Sequence, residues 1–519
     1  MEKKPNGRNA ASPAGINFIM NFRRLPFLAL PPLLLTGCMV GPDYHQPSAP
    51  TAAAYKEVAN WKPAQPKDDA IRGKWWEIYH DSQLNELEEQ VNISNQNVLQ
   101  AEALFREAAA AVKVARAGLF PTLTANPAFT ESQASQNLTS RGSGGGSGGG
   151  RSGSTSQSLY NLPLEATYMI DVWGAVRRSV QVNSTAAQAS FADLENARLS
   201  YQATLAEDYF SLRGLDAQKR LLEETVAAYQ KSLDLTTNRY NSGIASKGDV
   251  AQAKTQLETT RAQLIDVGVQ RAQFEHAIAT LTGKPAPDFT LEESPLTGTP
   301  PVVPVGIPAD LLERRPDIAG AERRVASANA NIGVQTAAYY PSLTLSGSTG
   351  LEAIQLSQLF SGPSFFWSVG PVLAQTLFDG GRIHGQVQEA RANYEATVAA
   401  YRQTVLTALQ QVEDDISGLR ILENEAAVQE EAVKSAQQSV DIITNQYKAG
   451  TQDYLQVITV QTIALNDRIT ANNIRTRRMT TSVLLIEALG GGWNAAKLPG
   501  NSGVADVPEA QTQIAKGKK

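Results

Sequence analysis

Hydrophobic and polar positions along the chain fall into two alternating regimes. Leu212, Leu215, Leu222, Val226, Tyr229, Leu233 and Tyr240 recur at alternating three- and four-residue spacing, with Lys219 and Thr236 in the intervening slots. Leu419, Leu422, Ala426, Val433, Ala436, Val440, Ile443 and Tyr447 repeat the phase, broken at Gln429. This is the heptad seam of coiled-coil packing. Residues 174–240 and 381–447 are 67 residues each and contain no proline. Each predicts a helix of about 100 Å at ~1.5 Å per residue, well beyond an ordinary globular helix. Shorter helical stretches at 84–118 and 249–283, and at 309–338 and 453–489, have the length to stack in pairs beside each long helix.

The second regime has period two. Tyr160, Leu162, Leu164, Ala166, Tyr168, Ile170 and Val172 alternate with Asn161, Pro163, Glu165, Thr167, Met169 and Asp171. A strand of this length spans roughly 43 Å, enough for a tilted crossing of a bilayer. In a second copy at 365–378, Phe365, Trp367, Val369, Leu373 and Leu377 share a face, although Gln375 intrudes. Residues 119–130 and 340–349 supply partner strands. Alternation alone leaves open a soluble hairpin capping a helical bundle. Four strands per chain cannot close a membrane barrel, so a barrel requires several chains.

The two regimes repeat because the chain is a duplication. Arg239-Tyr240-Asn241-Ser242-Gly243 reappears 207 positions later as Gln446-Tyr447-Lys448-Ala449-Gly450. Ile278-Ala279-Thr280-Leu281-Thr282-Gly283 reappears as Ile486-Glu487-Ala488-Leu489-Gly490-Gly491. Leu119-Phe120-Pro121-Thr122-Leu123 reappears as Tyr339-Tyr340-Pro341-Ser342-Leu343, with about 13 residues of difference in offset. The segment RGSGGGSGGGRSG at 141–153 accounts for them as a flexible loop insertion. The expected organisation is a first repeat at 84–307, a second at 308–492 and a flexible tail at 493–519. A long helix beside two stacked short ones makes a rod, and two rods make an arc of wall. Its open apolar seams call for a closed homo-oligomer.

Composition changes the picture at the N-terminus. The chain has 519 residues, a net charge of −5 and no run of 18 apolar residues, which on a first reading describes a large soluble protein. The charge balance argues against a nucleic-acid partner. However, residues 25–35 read LPFLALPPLLL after Arg23-Arg24 and run into Leu35-Thr36-Gly37-Cys38. That is an export signal ending in a lipoprotein cleavage site. The only cysteine, Cys38, stands where the lipid is attached. Residues 1–37 therefore read as a signal peptide, with Met20 a candidate start, and 38–83 as a lipidated, proline-bearing extended segment. Residue 39 is Met rather than Asp, so the usual inner-membrane retention signal is missing.

These features together resemble the outer-membrane factor family, the TolC-like efflux channels, and in particular the lipoprotein branch serving resistance-nodulation-division (RND) pumps. The markers are Cys38-Met39-Val40-Gly41-Pro42-Asp43-Tyr44, Trp75-Trp76 with Asp81 and Leu84, and the block from Asp310-Leu311-Leu312-Glu313-Arg314-Arg315 to Pro316-Asp317-Ile318. Ala328-Asn329-Ala330-Asn331-Ile332-Gly333 and Ala488-Leu489-Gly490-Gly491-Gly492-Trp493 complete them. The resemblance implies a mainly α protein with membrane β structure. It would be a duplicated coiled-coil α-barrel in the periplasm, continuous with a trimeric 12-stranded outer-membrane β-barrel, four strands per chain. It implies a passive conduit whose partners are an adaptor protein and an inner-membrane pump.

By the same resemblance the turns at 240–246 and 447–453 are the tips where the adaptor docks, through Tyr240, Gly243, Ser246, Tyr447 and Gly450. The charged lock found after the second glycine in some members is absent, since those positions read Gln452, Gln456 and Thr459. The gate is therefore placed only around Asp249, Asp453 and Tyr447. Asp414 and Asp415 could face the lumen, although such a pair is more often a solvated helix face. No phosphate loop, HExxH or GxSxG motif is present, so neither catalysis nor a metal or other cofactor is expected. The competing reading is a non-porous coiled-coil envelope lipoprotein or adhesin, which would have no need of a duplicated strand pair.

Overall fold

The computed structural model describes residues 39–58, 73–133, 156–303, 308–500 and 503–506. The first repeat holds α1 (Ser82–Ser94), α2 (Gln96–Ala117), β1 (Thr122–Ala125), β2 (Ala128–Ser132), β3 (Gln157–Ile170), α3 (Ala175–Asn241) and α4 (Lys247–Leu281). The second holds α5 (Leu311–Arg314), α6 (Pro316–Ala337), β4 (Ser342–Ala353), β5 (Phe365–Ala374), α7 (Arg382–Ala449) and α8 (Tyr454–Ala488).

Both long helices form as the seam predicts. Each starts from a left-handed glycine, Gly174 (φ 79°) or Gly381 (φ 91°). Each has an aspartate just upstream to satisfy its first amides. Asp171 accepts from Val176 and Arg177 N–H, and Asp379 from Gly381 and Ile383 N–H. The seam residues Leu212, Leu222, Tyr229, Leu419, Leu422 and Tyr447 are buried, but Tyr240 is 43% exposed. The expected single helix over 84–118 is broken at Asn95. This residue leaves helical geometry (ψ 119°), and its side chain caps the amides of Asn97 and Val98. Its amide nitrogen donates to Leu281 O at 2.8 Å, which ties the break to the end of α4.

The sheet runs β1-β3-β4-β5, with β2 also on β3. β1 and β2 are one strand interrupted at Asn126-Pro127; they pair with Leu164–Thr167 and Gln157–Asn161 of β3. Thus the described residues supply four strand positions, and both edges, β1/β2 and β5, lack a neighbour among them. Directly opposed residues of antiparallel strands project to the same face. Leu162, Leu351 and Phe365 therefore align, as do Ala166, Gly347 and Val369, and Ile170, Leu343 and Leu373. The other face carries Glu165, Ser348 and Ser368, then Thr167 and Ser346. Register thus builds an apolar face and a polar one from strands far apart in sequence, and Phe365, Trp367, Val369 and Leu373 are all well exposed on the apolar side. β5 ends at Ala374, short of Gln375, whose side-chain amide instead donates to Tyr339 O.

In the helical part, α2 and α4 pack on α3, α6 joins α3 to α7, and α8 joins α3 to α7. The main core lies at mid-length, where Trp75, Leu84, Tyr209, Leu212, Leu311, Ile318, Ile416 and Ile486 are almost fully buried. The motif blocks singled out in the sequence converge there. Arg315 donates to Ala488 O at 2.9 Å and pairs with Asp317 at 2.7 Å. A Cβ on Gly490 (φ 91°) would come within 2.1 Å of Arg314 O. Nearby, Asp216 binds both Arg213 (2.9 Å) and Arg271 (2.8 Å) and accepts from Ser294 N–H, fastening the inter-repeat linker to α3 and α4.

Residues 39–58 lie along the helices as a strap. Val40 N–H donates to Trp173 O, next to the start of α3, and Asn329 to Pro42 O. Buried Arg178 donates to Val40 O and Gly41 O and pairs with Asp43. Further along, Tyr44 bonds Glu322, Arg402 donates to Ser48 O, and the Lys56 and Glu57 amides donate to Glu413 on α7. A Cβ on Gly41 (φ 97°) would lie 2.4 Å from Gly333 Cα, so two glycines let the strap touch α6.

Candidate functional site

The two helix-to-helix turns lie at the ends of α3 and α7. Gly243 (φ 75°) and Gly450 (φ 79°) take the positive φ that ends the helices, and a Cβ on either would meet no atom closer than 3.9 Å. They therefore meet a backbone requirement without being packed. Ser246 caps α4 in a reciprocal box: its hydroxyl accepts from Asp249 N–H (3.1 Å), and the Asp249 carboxylate accepts from Ser246 N–H (3.0 Å). Asp453 is the N-cap residue of α8 but makes no such side-chain bond.

Tyr240 and Tyr447 hold equivalent positions in opposite environments. Tyr240 is exposed, whereas Tyr447 is 4% exposed within a small core of Ala253, Tyr454 and Val457. The guanidinium of Arg239 sits 4.7 Å above the Tyr447 ring, and its Nη1 donates to Lys448 O at 3.0 Å. Tyr447 and Tyr454 rings are 5.2 Å apart. Their hydroxyls reach α3, at Thr236 (3.4 Å) and Ser232 (3.0 Å). The contacts that join the two turns thus run through Arg239, Tyr447 and Tyr454. Asp249 is held by its own helix. Arg239 was not apparent in the periodicity, although one sign was available: it occupies the position where the second copy has Gln446.

Higher up, Glu207 and Asp208 of α3, Asp415 of α7 and Glu487 of α8 form an acidic group. Burial pushes Glu207 up to about 7, helped by Glu487 and Asp208, and Asp208 up to about 6. Burial also pushes Asp415 up to about 7, with Asp414, Glu487 and Glu207 adding repulsion. Glu487 is raised mainly by burial, and Ser200 and Arg315 oppose this. Asp414 is exposed, so the Asp414-Asp415 pair is divided: one residue faces solvent and the other joins this group. Cys38 lies outside the described residues. The strap places Val40, two residues on, beside the junction of sheet and α3.

A two-faced sheet with open edges, continuous with helices of 67 and 68 residues, defines an outer-membrane channel protein with a periplasmic extension. The family signature for outer membrane efflux proteins matches residues 87–284 and 307–491. An efflux pump outer membrane protein of Pseudomonas putida, TtgC, is 30% identical over 473 residues, covering 90% of this chain and 95% of the relative. Nodulation protein T of Rhizobium leguminosarum is 28% identical over 490 residues, covering 94% and 97%. The solved outer-membrane channel OprN superposes with a TM-score of 0.80 at 28% identity, covering 88% of this chain and all of that one. VceC of Vibrio cholerae gives 0.73 at 29% identity, covering 81% and 99%. The chain belongs to the outer membrane efflux protein family. It is an efflux channel of the outer membrane that extends into the periplasm, and the family's members are channels rather than enzymes.

Proposed function

We propose that the chain works as a homotrimer, lipidated at Cys38 and anchored in outer-membrane lipid, that completes a tripartite efflux system with a periplasmic adaptor and an RND-type pump. The observation that carries this is the pair of open edges. Among the described residues four strand positions end in two unpaired edges, and such edges in a bilayer are unsatisfied unless another chain pairs them. Three chains would give twelve strands. The helical layer supports the same closure, with Leu104 and Val114 of α2, Ile265 and Val269 of α4, and Ile421 and Val428 of α7 all exposed. This makes a non-porous stalk or adhesin the poorer reading. The working units are the repeats at 84–307 and 308–492, preceded by the lipidated segment at 38–83.

The tips dock the adaptor through Tyr240, Gly243, Ser246, Tyr447 and Gly450. The gate lies in the same region as Asp249 and Asp453, with Arg239, Tyr447 and Tyr454 as its closing contacts. Cargo is selected upstream by the pump and adaptor, while the channel supplies a passive path. Gly243→Arg and Gly450→Arg test the docking surface: no neighbouring atom obstructs either side chain, and the left-handed backbone costs about 1–2 kcal/mol at each turn, so trimer level and helicity are measured alongside. Expected results are normal outer-membrane trimer levels, loss of adaptor crosslinking and loss of efflux. Normal crosslinking and efflux in both variants would remove the tips from the docking site.

A further inference from the structure

At mid-length, away from both tip and sheet, a cavity of about 390 Å³ opens between residues 73–76, α1, α3 and the segment after α8. Trp76 and Trp493 line it, and they are only 2% and 6% exposed. Among the described residues neither indole Nε1 has an acceptor, and neither does Nε of Arg198 in the same wall. All the orphaned side-chain polar atoms among the lining residues are therefore donors, and such donors in native proteins are normally satisfied. Neighbouring Trp75 shows the contrast: its Nε1 donates to Gln202 Oε1 at 3.3 Å.

The charge around the cavity has the matching sign. Lys74, Arg198 and Lys497 line it together with one carboxylate, Glu195. Glu195 is held by Nη1 of Arg198 at 2.6 Å, which leaves Nε uncommitted. Lys74 pairs with Glu89 on α1, and Lys497 has no ion pair among the described residues.

We propose that this cavity binds an oxyanion, a carboxylate or phosphate borne on a small organic body. The indole N–H groups of Trp76 and Trp493 and Nε of Arg198 donate to its oxygens, and Lys497 balances its charge. The volume is within the range of small-ligand pockets and is larger than a bare anion needs. The position excludes a lipid headgroup of the membrane that holds the sheet. Arg198 lies 23 residues beyond the first residue of α3, about 35 Å along the helix at ~1.5 Å per residue. The source is therefore a small solute of the periplasm. Bound there, the ligand would tie the residues after α8 to the residues before α1.

The full-length protein, labelled with 5-fluorotryptophan and kept in detergent as its native oligomer, is titrated with inorganic phosphate and separately with malonate. Ionic strength is held constant with chloride. Trp76→Phe and Trp493→Phe assign the two fluorine signals. Saturable shifts of both signals are expected with at least one probe, and which probe acts distinguishes a phosphate from a carboxylate ligand. Arg198→Met should weaken the response about tenfold. Signals that do not move with either probe, or that move equally in chloride alone, would mean the donors are satisfied within the chain and would overturn the proposal. An unaltered response in Arg198→Met would also overturn the assignment of its donor.

Discussion

Arg239→Ala is the most informative substitution at the tip, because one side chain bridges the two turns. Its guanidinium makes two contacts, the Tyr447 ring at 4.7 Å and Lys448 O at 3.0 Å. A cation–π contact at a partly exposed site contributes about 0.5–1 kcal/mol. A charge-assisted hydrogen bond contributes about 1.5–3 kcal/mol when buried, and less here, where solvent reaches the carbonyl. Together they give roughly 1–2 kcal/mol per chain. If three chains open together, closure loses roughly 3–6 kcal/mol, so the closed-to-open ratio falls by a factor of roughly 10²–10⁴. Planar-bilayer recording of the purified channel reads this directly as open-state occupancy. Arg239→Lys, which keeps the charge but loses the planar fork, should lie between wild type and alanine. In the double variant Arg239→Ala/Tyr447→Leu the effects should be less than additive, since both remove the same contact. Unchanged occupancy in Arg239→Ala, with the assembly and its helicity intact, would refute a closing role for this clasp.

Three further outcomes are expected. Glu207 and Asp415 hold their protons more tightly folded than unfolded, as burial raises both to about 7. The folded chain thus binds the extra protons, and the resulting stability is present below about pH 4 and lost as pH rises through 7. Arg315 is the cation that moderates the repulsion on Asp415. Glu207→Gln with Asp415→Asn should raise the melting temperature at pH 8 more than at pH 5, and an equal gain at both would contradict the assignment. Arg178→Ala removes the donor to Val40 O and Gly41 O, at a cost of about 2–3 kcal/mol. Limited proteolysis should then cut within residues 39–58 of the assembled protein, while the helices resist. Cys38→Ser should abolish incorporation of labelled palmitate; persistent labelling would place the lipid elsewhere.

Much of the architecture was legible because it rests on periodicity, which is local. The 67-residue prolineless intervals specified the long helices, and strict alternation over 160–172 specified β3. The second strand pair was harder to read because Gln375 and the glycines Gly347 and Gly370 blur the alternation. Its faces become clear only once register sets Leu351 beside Leu162 and Phe365. Asn95 could have been recognised as a cap but sits inside a continuous apolar pattern, so propensity yielded to its tie with Leu281. At the tip, sequence located the turns and their glycines. It could not distinguish buried Tyr447 from exposed Tyr240, because part of what covers Tyr447, namely Thr236, Arg239 and Ala253, comes from the other half of the chain. The same limit applied to Asp415, whose environment is made by Glu207 and Glu487 from other helices.

The strap imposes an order on biogenesis. Residues 39–58 leave the ribosome before their partners Arg178, Glu322, Asn329, Arg402 and Glu413, which lie more than 100 positions further on. Contacts across such sequence separations form late. The strap cannot seat until α3, α6 and α7 are in place, so its docking reports that both repeats have folded. Until then none of these contacts holds the strap, and a segment made before its partners is the last to be fastened to them.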